Sequence, residues 1–312
     1  MPERGDMNFQ VTALNDLRAQ FVQALEADVV VAPPQRAARP RIDWRRAWVA
    51  PAIALAVALI VIAITAIPWS SNPTVSEATA GVAKTALGAS YPPDDWFTYS
   101  RSTELRQELS VTKDHTPILV GTERRAWLSV SRRGTIETKL LDRPSAPPIV
   151  TSYPAFGRYR IGDTTYDRAQ IDAFAKDPRA LLAKIDEEAN ATGHDQANAT
   201  RWTIITEALR DLSPPLPATL RAALISELAT VKNVEVVDAN ADPLGRAAVG
   251  LTFAEQDVSS TVYFDKLTSA LSYSIVKVTK LDGHRGPQVK VGDTLERFEL
   301  LESKATPTAP KL

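Results

Sequence analysis

The chain contains no cysteine, which excludes a disulfide scaffold, thiolate zinc ligation, iron–sulfur ligation and a cysteine nucleophile. Histidine is nearly as scarce. Only His115, His194 and His284 occur, far apart in sequence and with no second histidine at helical ligand spacing. Two of them sit in turn-like contexts, TGHDQ and DGHRG, where a solvated imidazole is the ordinary outcome. Charge of one sign is also lacking in excess: the formal net charge is −1, so no global basic field points to nucleic acid. Glycine-rich phosphate cradles of the G-x-x-x-x-G-K-[ST] or G-x-G-x-x-G kind are missing, as is a G-x-S-x-G nucleophile elbow. These absences leave no recognisable catalytic constellation and imply no cofactor and no metal. The expectation is a non-enzymatic protein.

What the chain does have is one long apolar run. Ala47 to Ile67 reads AWVAPAIALAVALIVIAITAI without a charged residue. At 1.5 Å per helical residue it spans roughly 30 Å, the thickness of a bilayer's hydrocarbon core. Pro51 falls in the first turn, where few intrahelical donors are lost. Trp44, Trp48 and Trp69 bracket the run as interfacial aromatics. Arg36, Arg39, Arg41, Arg45 and Arg46 precede it, whereas Lys84 is the only cation between it and Arg101. The positive-inside rule then places residues 1–46 in the cytoplasm and the rest outside the cell membrane, with Arg45, Arg46, Trp48 and Trp69 as membrane-anchor flanks. A cleavable signal peptide has a shorter head and a 7–15-residue core, so this run is a signal anchor.

Ahead of the run, Leu14, Leu17, Phe21 and Leu25 recur at three- and four-residue spacing, opposite Asp16, Gln20, Gln23 and Glu26. That periodicity predicts an amphipathic helix over Phe9–Ala27. Its apolar stripe needs a cover, either the membrane surface or self-association on one reading, or a cytoplasmic partner protein on the other.

Residues 68–93 are rich in Ser, Thr, Ala and Gly and read as a linker, with a short helix of small residues over Val75–Ala89. The outer domain is expected over 94–302. Strand alternation marks WFTYSRS from Trp96, and Arg124–Leu141 with a turn at Arg133-Gly134. Helices follow: Asp167 and Gln170 fit a capping box, Asp177 caps a second helix with Pro178 at its first position, Trp202, Ile205 and Leu209 stripe a third, and Leu220, Leu224, Leu228 and Val231 a fourth. Strands return at Val234–Val237, Ala247–Ala254, Val258–Phe264 and Leu271–Lys280 with connections short enough to force antiparallel pairing. Val289–Leu301 reads as a final edge strand, and 303–312 as a disordered tail. Segregated strands, helices and strands define α+β, an antiparallel sheet packed on helices behind one transmembrane helix.

Three features outside this frame have ordinary readings. Asp186, Glu187 and Glu188 form an acidic run late in a helix, which is normally a solvated face. Asn190-Ala-Thr192 and Asn198-Ala-Thr200 match a glycosylation pattern short enough to arise by chance. Trp96, Tyr99, Trp127 and Trp202 either line a pocket or fill a core.

The order Arg124-Arg125-Ala126-Trp127, Asp177-Pro178-Arg179-Ala180-Leu181-Leu182, Leu216-Pro217-Ala218-Thr219-Leu220-Arg221-Ala222-Ala223-Leu224, Val234-Glu235-Val236-Val237-Asp238 and Phe264-Asp265-Lys266-Leu267-Thr268 resembles a family of uncharacterised actinobacterial single-pass membrane proteins, commonly found beside extracytoplasmic-function sigma factors. The likeness spans roughly residues 40–280, and its strings are caps, turns and strand starts, so it carries over no catalytic residue. It implies envelope sensing or anti-sigma-like regulation, with a sigma factor as cytoplasmic partner. Residues 1–46 hold neither His nor Cys, so a zinc-type sigma-binding head is excluded and a helical docking segment remains, with Leu14, Leu17, Phe21 and Leu25 as its partner-binding stripe. A tethered lipid- or lipoprotein-binding module is the alternative.

Overall fold

The computed structural model describes residues 73–309, except for short stretches at 90–91, 110–116, 154–157, 194–195, 211–215, 239, 256 and 282–288. The amphipathic stripe at Leu14, Leu17, Phe21 and Leu25, the apolar run 47–67 and its flanks Arg45, Arg46, Trp48 and Trp69 lie outside the described residues, as do all three histidines. Among the described residues no helix is long and apolar enough to cross a membrane.

The described residues form an α+β fold around a nine-stranded antiparallel sheet. Four strands run outward on one side: β1 (Phe97–Leu109), β2 (Pro117–Leu128), β3 (Gly134–Leu140) and β4 (Ile149–Tyr153). A small hairpin follows, β5 (Arg158–Ile161) and β6 (Thr164–Asp167), turned by Gly162 at φ 61°. Four helices come next, and with an earlier α1 (Val75–Gly88) they are α2 (Arg168–Lys176), α3 (Pro178–Ala191), α4 (Ala197–Arg210) and α5 (Ala218–Glu227). The second half of the sheet comprises β7 (Val234–Asp238), β8 (Ala248–Glu255), β9 (Val258–Asp265), β10 (Leu271–Val278) and β11 (Thr294–Thr306). Spatial order is β4-β3-β2-β1-β11-β10-β9-β8-β7. The first strand therefore pairs with the last in the middle of the sheet, and each half is a meander leading away from that seam.

This placement corrects two expectations. β11 is not an edge strand: it is hydrogen-bonded to β1 on one side and β10 on the other. Nor is the whole of 303–312 a loose tail, because β11 continues to Thr306, which lies opposite Phe97. The alternating Thr, Ser and Lys of SKAT carry too little apolar surface to announce a strand, yet the partner β1 supplies the hydrogen bonds.

The described part of the segment read as a 68–93 linker is largely helix α1. Thr74 and Glu77 close its N-terminus with a reciprocal capping box, satisfying two otherwise unpaired backbone donors. Ala78, Val82, Ala83 and Ala86 are buried in the main core, and the helix lies against α5. Small side chains allow that close approach, and they are the same feature that made the segment look like a spacer.

Strand alternation sets one face of β8–β11 toward the helices. Val249, Leu251 and Phe253 of β8, Val262 and Phe264 of β9, Leu271 of β10 and Phe298 of β11 join one cluster with Ile171, Leu181, Trp202, Ile205, Leu220 and Leu224. Burying each such side chain contributes roughly 1.5–3 kcal/mol against chain entropy. The capping box at Asp167 and Gln170 forms as the residues dictate. Asp177 occupies the next N-cap but its side chain makes no capping bond; Pro178, with its fixed φ, starts α3 instead.

The connection from β7 to β8 folds back on itself through a bridge between Ala241 and Ala247. There Asp242 is fully buried and accepts from the amides of Leu244 and Arg246, both at 3.0 Å, and from Arg246 Nε at 2.6 Å. Arg246 in turn donates to the carbonyl oxygens of Ser272, at 2.9 Å, and Leu300, so one side chain clips the loop to β10 and β11.

Candidate functional site

Helix α4 crosses the helix-facing side of β8–β11, and beneath its last two turns the packing is incomplete. A cavity of about 240 Å³ remains between them. Along α4 the side chains at i, i+4 and i+8, Trp202, Thr206 and Arg210, run down one wall, with Thr203 and Glu207 beside them. The opposing wall comes from helix-facing positions of four strands: Phe253 and Glu255, Val258, Ser260 and Val262, Leu271, Ser274 and Val276, and Glu296.

The inner end is aromatic. Trp202 is 2% exposed, its ring lies 5.6 Å from that of Phe253 in a stacked arrangement, and its Nε1 donates to Ser260 Oγ at 3.0 Å. Stacking and the hydrogen bond together fix the indole as a rigid wall. The outer end is charged. Arg210 donates to Glu296 across the cavity, and its guanidinium sits 5.8 Å from the centre of the Phe298 ring. Arg106 on β1 approaches the other oxygen of Glu296 at 3.7 Å and binds Glu104 at 3.1 Å.

Both partners of the central pair are about a quarter exposed. Burial alone would push the Glu296 carboxyl up, but the positive charges of Arg210 and Arg106 outweigh it and hold the group below its ordinary value. Burial works against the Arg210 cation too, and the Glu296 and Glu104 charges reverse that effect. Glu207 behaves differently: crowding by neighbouring protein raises its carboxyl, Arg210 opposes the rise and Glu296 adds to it. Since Glu207 is itself exposed, water screens much of that shift. The cavity wall carries the carboxylates of Glu207, Glu255 and Glu296 and the guanidinium of Arg210.

Carboxylates, one guanidinium, hydroxyls and two aromatic rings make a surface suited to holding a molecule. At about 240 Å³ the space exceeds the roughly 150 Å³ that admits benzene and falls short of the roughly 300–1,000 Å³ of drug-sized sites.

The structure separates the aromatics grouped by sequence. Trp202 lines the cavity, whereas Tyr99 and Trp127 pair across β1 and β2 with rings 5.0 Å apart. By strand alternation Tyr99 lies on the face opposite Glu104 and Arg106. Trp96 is exposed. The acidic run is spoken for residue by residue: Asp186 pairs with Arg201 at 2.7 Å, Glu187 with Lys184 at 2.9 Å, and Glu188 accepts from the Asp163 amide at 2.9 Å. Among the described residues no cluster of acidic or histidine side chains could hold a metal ion. In the two Asn-x-Thr strings, the hydroxyls of Thr192 and Thr200 bond each other at 3.0 Å.

Arg210, Glu207 and Glu296 were missed from sequence, and one signal could have found Glu296. In TLERFELL the helix-facing positions include Glu296, Phe298 and Leu300, so a carboxylate stands in line with core residues. No family sequence profile matches the chain, and no curated protein matches it.

Proposed function

We propose that the chain is a single-pass membrane protein whose outer domain is a non-enzymatic binding module serving envelope sensing. The cavity between α4 and the sheet carries this reading: there the fold leaves room for a small molecule, with an apolar aromatic end and a charged end. Such a combination fits a small amphiphile, whose apolar body meets Trp202, Phe253, Val262 and Leu271 and whose polar end meets the charged groups. The tether in this reading is 47–67, with the arginines before it held inside the cell. The test has two arms. A reporter fused to the C-terminus is expected to be active only outside the cytoplasm, and mass spectrometry of the gently isolated protein is expected to find a stoichiometric small molecule released on unfolding. A cytoplasmic reporter removes the tether, and a ligand-free protein removes the binding module.

The stripe Leu14, Leu17, Phe21 and Leu25 favours a cytoplasmic readout, in which the segment 1–46 docks a sigma factor. Co-purification of a sigma factor with that segment is the expected result. Failure to bind, with transcription unchanged after its deletion, eliminates the regulatory arm and leaves a tethered lipid- or lipoprotein-binding module.

A further inference from the structure

We propose that the chain pairs with a second copy of itself through the outer edge of β4, strand against strand, so that the two sheets become one. The two ends of the nine-stranded sheet are built differently. β7, at one end, reads VEVVD. Glu235 and Asp238 put charge on it, its register with β8 slips between Val236 and Asp238, and the Asp238 carboxylate accepts from the amides of Asn240 and Ala241. Charges and bulges are how natural sheets keep an edge from recruiting another strand. β4, at the other end, reads IVTSY, with no charge, no proline within it and no slip in its register with β3. Among the described residues no strand lies on its outer side. Its apolar side chains are open: Ile149 is 40% exposed and Val150 48% exposed. An uncharged, regular edge of this kind is a template for a further strand.

The residues of β4 suit a second β4. Two copies running antiparallel about Thr151 overlap over all five residues, with Thr151 opposite Thr151 and Val150 opposite Ser152. Threonine pairs stabilise such a contact, and no like charges meet across it. On the neighbouring strand Glu137 lies beside Val150. In the joined sheet the two Glu137 positions stand at least three strand spacings apart, roughly 14 Å, beyond the screening length of about 8–10 Å. The same edge offers no counter-charge within the strand to draw in a charged peptide. Five residues of edge make a contact below the roughly 1,200–2,000 Å² of standard interfaces, so the dimer is expected to be weak and to grow with concentration.

Because the chain has no cysteine, single cysteine substitutions report the contact directly. The test oxidises full-length Thr151→Cys chain, purified in mild detergent, with copper phenanthroline at rising protein concentration. Opposed residues of antiparallel strands hold their Cα atoms about 4.5–5.5 Å apart, within reach of a disulfide. Thr151→Cys is expected to give at least fivefold more disulfide-linked dimer than Glu235→Cys, an exposed position on the opposite edge. Adding Val150→Lys or Ser152→Lys, both at exposed positions, is expected to cut that yield at least threefold while the chain still melts cooperatively. A yield from Thr151→Cys no greater than from Glu235→Cys overturns the proposal. So does a yield unmoved by either lysine in a folded chain, or a cross-linked product that is not twice the mass of the chain.

Discussion

Arg210, in the last turn of α4, reaches across the cavity to Glu296 on the strand that closes the sheet, 86 residues further along the chain. That pair ties the helical layer to the central seam of the sheet beside the cavity, where apolar packing is incomplete. Glu296→Gln removes the charge that compensates Arg210. A fully buried pair broken in this way costs about 3–5 kcal/mol, and partial exposure reduces the expectation here to about 1–3 kcal/mol. Because the folded carboxyl is held below its ordinary value, the stabilisation is complete above the unfolded carboxylate value and fades as pH falls through the folded one. Urea unfolding at neutral pH and at a pH below the ordinary carboxylate range checks both statements: the variant is expected to lose stability at the first and to converge on the parent at the second.

Asp242 carries a second and independent pH response. Burial favours its neutral form, but the amide and side-chain hydrogen bonds from Arg246, the charge of that guanidinium, and the Leu244 amide prevail, so its carboxyl is depressed. Its contribution too is present above the unfolded value of about 3.9 and lost as pH drops through the folded one. Asp242→Ala leaves Arg246 pinned to backbone oxygens without its counter-charge, and about 3 kcal/mol of stability is expected to go. Calorimetric unfolding reports it, and a loss under about 0.5 kcal/mol, the usual range of surface substitutions, would mean the loop is not clipped as described.

Helix α1 belongs to the core, so a domain cut at residue 94 is expected to behave differently from one cut at 73. The shorter form uncovers the side of α5 that α1 packs against and strips away the fully buried Ala78 and Ala86. Removing so much packed surface is expected to cost more than the about 5–15 kcal/mol that stabilises a typical domain can spare. The expected outcome is a cooperative melting transition for the longer form and its loss for the shorter.

Hydrogen exchange tests the C-terminal half of β11. Tyr99, Thr98 and Phe97 lie opposite Lys304, Ala305 and Thr306. Peptides covering those residues are expected to exchange far more slowly than an unstructured tail, because opening them breaks the β1–β11 seam. Exchange at the intrinsic rate would return the segment to the tail it resembles in sequence.

Local rules made much of this fold readable. The Asp167 and Gln170 box, Pro178 at a helix start, the turn before Gly134 and the alternation in β8–β10 each depend on residues a few positions apart. What escaped depends on distant partners. β11 looks like an edge strand until β1, almost two hundred positions earlier, is placed beside it. The helix over Val75–Gly88 was readable, but its small residues look like part of a linker until α5 is placed against them. The cavity was the least readable, because Trp202 as a helix-stripe residue is indistinguishable from any core tryptophan, and only Glu296 among apolar strand neighbours hinted at a polar wall.

The most direct measurement fills the cavity and asks whether binding disappears. Ser274 is 8% exposed, faces the helices and lines the space, so Ser274→Leu places apolar atoms where a ligand would sit and leaves the surface of the protein unchanged. Calorimetric titration with 1-hexanol, a small amphiphile, is expected to show binding to the parent chain and none to the variant, while the variant melts within a few degrees of the parent. Undiminished binding to a stably folded Ser274→Leu chain would contradict the account, because the ligand would then lie outside the space between α4 and the sheet.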